Sequence, residues 1–126
     1  MIKPFRLITI SFFTTALMFF MGVAQAAYPD KPVKIIIGFP AGGPLDAHIR
    51  LLIEKLQASL GQTVIVDYKA GAGGAVGAQF VAQSPADGYT LLLANTGTMV
   101  INPAIYTKSP YDTLKDFQPI ARTAQQ

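Results

Sequence analysis

Three short stretches carry residue types that could hold a ligand. Phe39-Pro40-Ala41-Gly42-Gly43-Pro44-Leu45-Asp46 follows the β-branched run Val33-Lys34-Ile35-Ile36-Ile37, Gly71-Ala72-Gly73-Gly74 follows Thr63 to Tyr68, and Asn95-Thr96-Gly97-Thr98 follows Tyr89 to Ala94. Glycine lets a main chain come close to a bound group, and the start of a helix offers unpaired N–H groups at a positive dipole end. Asn95, Thr96 and Thr98 add neutral amide and hydroxyl groups. Such a set suits a small anion, a carboxylate above all. Each stretch also has a plainer reading. Gly42-Gly43 could be only a tight turn between strand and helix. Asp46 is placed to cap a helix; facing a pocket, it would orient water or meet a ligand ammonium.

Covalent and acid–base chemistry has little to work with. The chain has one histidine, His48, and no cysteine. In the first turn of a helix a lone histidine is expected at the surface. No serine stands in a Gly-x-Ser-x-Gly elbow, no second histidine completes a metal site, and spacing does not pair Asp46 with Asp67. Gly71 to Gly74 fails the dinucleotide fingerprint because position 76 is Val76, and no Gly-Lys-Ser/Thr follows. Tyr68, Lys69 and Tyr106 read as rim or surface residues. The expectation is no catalytic residue, no metal and no cofactor.

The elements that must position these loops alternate in type. Val33 to Phe39 reads as a buried strand. From Ala47 to Leu60 the residues Ile49, Leu52, Ile53, Leu56 and Leu60 share one helical face, with Asp46 as the expected N-cap and Gly61 as the stop. Thr63 to Tyr68 is a second strand, Ala75 to Gln83 a small-residue helix, and Tyr89 to Ala94 a third strand. Strand starts near 33, 63 and 89 have βαβ spacing, which predicts right-handed crossovers and a parallel sheet with all three loops on one edge. In open α/β sheets that edge binds ligands. Past Thr98 the pattern loosens. Leu114 to Phe117 is expected to form one short turn, and Pro119 to Arg122 to begin another strand.

Composition narrows the setting. Lys3 and Arg6, the apolar run Leu7 to Val23 and the small residues of Ala24-Gln25-Ala26 predict a cleavable secretory signal over residues 1–26. An uncleaved anchor is the alternative; lipidation on cysteine is excluded. Removing Lys3 and Arg6 leaves eight basic residues against seven acidic ones in Ala27 to Gln126. That near-neutral balance lacks a nucleic-acid footprint, so no nucleic-acid partner is expected.

The ordered set Tyr28-Pro29-Asp30-Lys31-Pro32-Val33, Phe39 to Asp46, Leu60-Gly61-Gln62, Gly71 to Gly74, Pro85 to Leu92, Ile101-Asn102-Pro103, Pro110-Tyr111-Asp112 and Lys115-Asp116-Phe117 resembles the extracytoplasmic solute receptors of tripartite tricarboxylate transporters, the Bug family. The resemblance covers residues 28 to 122. It implies a periplasmic, type II-like binding protein of two α/β lobes that closes on a small organic carboxylate and passes it to two integral membrane transporter subunits. It implies ligand contacts, partly through water, from Phe39, Ala41, Gly42, Gly43, Asp46, Gly73, Gly74, Thr96 and Thr98. Tyr68-Lys69-Ala70 stands where the family often has Asn-Arg-Pro. Family members are roughly two domains long, so residues 27–126 are expected to be part of the first lobe, with the second lobe absent. The other readings are a receptor piece not functional alone, and an exported α/β enzyme using a nucleotide at Gly71 to Gly74.

Overall fold

A computed structural model describes residues 28–124. The expected signal over residues 1–26 lies outside that range. Three parallel strands, β1 (Val33–Ile37), β2 (Val64–Tyr68) and β3 (Thr90–Leu93), form a sheet in the order β2-β1-β3. Val33 pairs with Val64 and Ile37 with Tyr68 on one side; Lys34 pairs with Thr90 and Ile37 with Leu93 on the other. The parallel α/β sheet expected from the βαβ spacing is present. The central strand is also the most apolar, as two-sided burial requires: Val33, Ile35, Ile36 and Ile37 are all buried.

Alternation along β1 assigns the two faces. Ile35 and Ile37 join Ile49 and Val64 in one cluster, which the apolar stripe of α1 (Pro44–Leu60) covers with Leu45, Leu52, Ile53, Leu56 and Leu60. On the other face Ala75 and Ala78 of α2 (Ala75–Ala82) pack with Tyr111, Leu92 and Phe117. The small residues of α2 allow close approach. A Cβ on Gly77 would lie 2.8 Å from the α-carbon of Gly38.

Local chemistry explains most element ends. Gly61 closes α1 in the left-handed conformation (φ 65°), donating its N–H to the Gln57 carbonyl. Gln57 then uses its own Oε1 to accept the Val64 N–H at 3.1 Å, joining the end of α1 to the start of β2. At the same edge, beside the start of β3, Tyr28 donates to the Gly88 carbonyl at 2.7 Å and meets the Tyr89 ring edge-on at 5.0 Å. Lys31 pairs with Asp87 at 3.3 Å and lies over the Tyr89 ring. The Tyr-Pro-Asp-Lys-Pro lead-in and the Asp-Gly-Tyr turn are therefore two halves of one clasp.

Three expectations need correction. The N-cap of α1 is Gly43, not Asp46; Pro44 occupies N1, where its missing N–H costs no hydrogen bond, and the helix starts three residues before Ala47. Beyond β3 the chain is not loose: a π-helical turn, Gly97–Ile101, runs straight into α3 (Asn102–Ile105). Pro119 to Arg122 forms no strand. No backbone hydrogen bond joins it to another described segment, and Ile120 is 77 % exposed. The short turn near Leu114 is present, with Asp112 Oδ1 accepting the Leu114 and Lys115 N–H groups.

Candidate functional site

Because the strands are parallel, the segments after Ile37, Tyr68 and Leu93 leave the same edge of the sheet. The chain after β1 turns onto the α1 face. The chain after β3 is tied to the other face, where the Tyr111 hydroxyl donates to the Thr98 carbonyl. Neighbouring strands whose continuations part to opposite faces leave a crevice at their C-terminal ends, the usual ligand position in such sheets.

The two glycine loops around that crevice are built differently. Gly71 to Gly74 is folded against protein. Gly74 is buried with φ 92°, and a Cβ there would sit 2.4 Å from Thr98 Oγ1 and 3.1 Å from the Phe39 ring. A Cβ on Gly38 would fall 2.6 Å from both the α-carbon and the carbonyl oxygen of Gly74. Thr98, only 1 % exposed, places its hydroxyl 3.1 Å from the Gly73 carbonyl and 3.2 Å from Asn95 Oδ1, while Asn95 also accepts the Thr98 N–H at 2.9 Å. Asn102 donates to the Gly73 carbonyl at 2.9 Å, and the Tyr106 hydroxyl reaches the Ala72 carbonyl at 3.3 Å. Ala72 itself has φ 47°, a left-handed conformation uncommon for a residue with a Cβ, and these contacts hold it there.

The loop after β1 is open by contrast. Pro40, Ala41 and Gly42 are exposed, and a Cβ on Gly42 (φ 83°) would meet nothing within 4 Å. What holds this loop is a carboxylate. Asp46 is 3 % exposed; its Oδ2 accepts the Gly42 N–H at 2.7 Å, and its Oδ1 accepts from the Tyr68 hydroxyl at 2.6 Å and from Arg50 Nε at 2.9 Å. The Tyr68 hydroxyl and the Gly42 N–H hold the Asp46 carboxyl below its usual range, with Arg50 adding to both. The same contact with Asp46 pushes the Tyr68 phenol up. Asp46 lies in the first turn of α1, where a negative charge also meets the positive end of the helix dipole.

The residues singled out from the sequence thus divide. Phe39 and Thr98 both lie against Gly74, Gly73 joins Thr98 and Asn102, and Gly42 and Asp46 are bonded together. Ala41 and Thr96 are exposed, and Gly43 is half-buried at the helix start. Tyr68 is no simple rim residue, and Asn102, Tyr106 and Tyr111 are structural partners that sequence reasoning missed. His48 is half-buried, its Nε2 shielded and without a hydrogen-bond partner among the described residues, which differs from the expected surface position.

Fold and crevice define an α/β unit of the kind found in periplasmic binding proteins. A family profile described as the tripartite tricarboxylate transporter family receptor matches residues 48–126, and the chain belongs to that family. It is 41 % identical over 100 residues to protein BugT of Bordetella pertussis, covering 79 % of this chain and 31 % of BugT. The structure of the periplasmic binding protein BugD superposes with a TM-score of 0.70 at 41 % identity, covering 74 % of this chain and 31 % of that one. MatC from Rhodopseudomonas palustris with bound malate gives a TM-score of 0.70 at 35 % identity, over 73 % of this chain and 31 % of MatC. The chain spans about three-tenths of the length of the relatives it matches.

Proposed function

We propose that this chain supplies part of the first lobe of a periplasmic receptor that binds a small organic carboxylate and delivers it to two integral membrane transporter subunits. The observation that carries the reading is the open loop Pro40 to Gly43, set at the C-terminal edge of a parallel sheet and feeding the N-terminus of α1. With the Gly42 N–H committed to Asp46 and Pro44 lacking one, the Gly43, Leu45 and Asp46 N–H groups are the donors this loop and first turn offer to an anion. The malate bound to a structural neighbour fits that chemistry. Ala41, Gly42, Gly43 and Thr96 supply the solvent-facing backbone. Phe39, Gly73, Gly74 and Thr98 form its floor, and Asp46 sets the loop.

Residues 1–26 are the export signal in this reading, and residues 27–126 the part-lobe. N-terminal sequencing of the protein recovered from the periplasm of an expressing bacterium is expected to start at Ala27. Binding is tested by thermal unfolding with malate and, separately, with ATP. Stabilisation by malate through mass action supports the receptor reading, and stabilisation by ATP alone overturns it in favour of a nucleotide site.

A second reading has its own support: residues 27–126 alone are not a competent receptor. Leu114 is 91 % exposed, and Val100, Ile101, Ile105 and Ile120 are exposed with it. So much exposed apolar surface on a small unit is characteristic of surface that normally meets a partner. A broad, non-cooperative melt of the chain supports this reading, whereas a sharp two-state transition counts against it.

A further inference from the structure

We infer that Tyr68 is a positioning residue for the loop of residues 39–43, acting through Asp46. The inference rests on that loop being part of the carboxylate cradle, and it identifies what sets the loop's shape. Gly42 holds a left-handed conformation in open space, so no packing on its α-carbon keeps it there. Its N–H is tethered to Asp46 Oδ2 at 2.7 Å. The direction of that tether depends on the carboxylate's rotation, which the two donors on Oδ1 fix.

Those donors are unequal. Arg50 is mostly exposed on a long flexible stem, so water competes for its guanidinium. Tyr68 ends β2 in register with Ile37, and its ring packs against the cluster of Ile35, Ile37, Ile49 and Val64. A phenol with two rotatable bonds, held in a core, is the stiffer partner. Its hydroxyl donates to Asp46 at 2.6 Å and also accepts from Arg50 Nη2 at 3.3 Å, so it steadies the arginine as well. The end of β2 therefore dictates the geometry of the loop after β1.

The test uses the full chain labelled with nitrogen-15, as wild type, Tyr68→Phe, Asp46→Asn and the double variant. In the wild type the Gly42 amide proton is expected downfield and protected from exchange, as a bond to a carboxylate requires. Tyr68→Phe is expected to move that resonance and to speed its exchange about tenfold, the scale of one charge-assisted hydrogen bond. In the Asp46→Asn background the same change is expected to add less than about twofold, because the shared partner is gone. The Ile35 to Ile37 amides serve as the fold control. An unprotected Gly42 amide in the wild type overturns the role without any variant. So does an unmoved Gly42 resonance in Tyr68→Phe, or an equal effect in both backgrounds. Malate added to the same samples separates this role from the proposed function. No binding by the wild type counts against the function and leaves the Gly42 signals to decide Tyr68. Wild-type binding that Tyr68→Phe leaves unchanged overturns the positioning role, and binding weakened about tenfold supports it.

Discussion

Two glycine loops leave the same edge of the sheet, after β1 and after β2, and they use glycine for opposite purposes. In Gly71 to Gly74 the missing side chains make room for protein: Val76, Asn102, Thr98 and Phe39 occupy the space a Cβ would need. In Gly42 the missing side chain leaves a bare backbone toward solvent. The holding forces differ as well. The closed loop is fastened by neutral groups, the Thr98 and Tyr106 hydroxyls and the Asn102 amide, whereas the open loop hangs on one ionised carboxylate. Doublets that look alike in sequence can therefore belong to the scaffold or to the site, and the space beside the α-carbon distinguishes them.

Substitutions sharpen that contrast. Gly38→Ala should have the largest effect. Its Cβ meets the Gly74 backbone, which has no flexible end to move aside, and a loss of about 3 kcal/mol or more is expected in chemical denaturation. Asn102→Ala removes the donor to the Gly73 carbonyl at a buried position; a cost of about 2 kcal/mol is expected, read the same way. Gly42→Ala meets no atom, so its cost should be confined to the left-handed backbone, about 1 kcal/mol. A loss at Gly42 as large as that at Gly38 would mean the two loops are not distinct.

Acid should separate the loops without mutation. The Asp46 carboxyl is held below its usual range by the Tyr68 hydroxyl, the Gly42 N–H and Arg50. A lowered folded value contributes stability that is present above the ordinary carboxylate range, near pH 3.9, and lost as pH falls through the folded value. Arg50 and Tyr68 are the ionisable groups facing it, and neither changes charge in acid. Amide shifts at Ala41 to Gly43 should therefore move below about pH 4 while those of Gly73 and Gly74 stay put. Simultaneous movement of both loops would contradict the separate fastening.

Much of this organisation is legible in the chain. The strand periods, the apolar stripe of α1 and the spacing of the three loops are local patterns, and they suffice for a parallel α/β unit with its three loops on one edge. The start of α1 was legible too, since Gly43-Pro44 carries the N-cap and N1 signature that Asp46 obscured. What is not legible is which glycines point inward. That depends on Gly38 meeting Gly74 and Thr98 meeting Gly73, contacts between residues 25 or more positions apart. The Asp46–Tyr68 bond likewise joins the start of a helix to the end of a strand 22 residues later. The tying of Tyr111 to the Thr98 carbonyl was hidden because Tyr111 belongs to no periodic element.

The most direct measurement is a nitrogen-15 amide map of the full chain titrated with malate. The cradle predicts saturable shifts centred on Gly43, Leu45 and Asp46 and reaching Thr96, with Gly73 and Gly74 following only weakly as its floor. Saturable shifts confined to Ala72 to Gly74, or to the far clasp of Tyr28 and Tyr89, would contradict it.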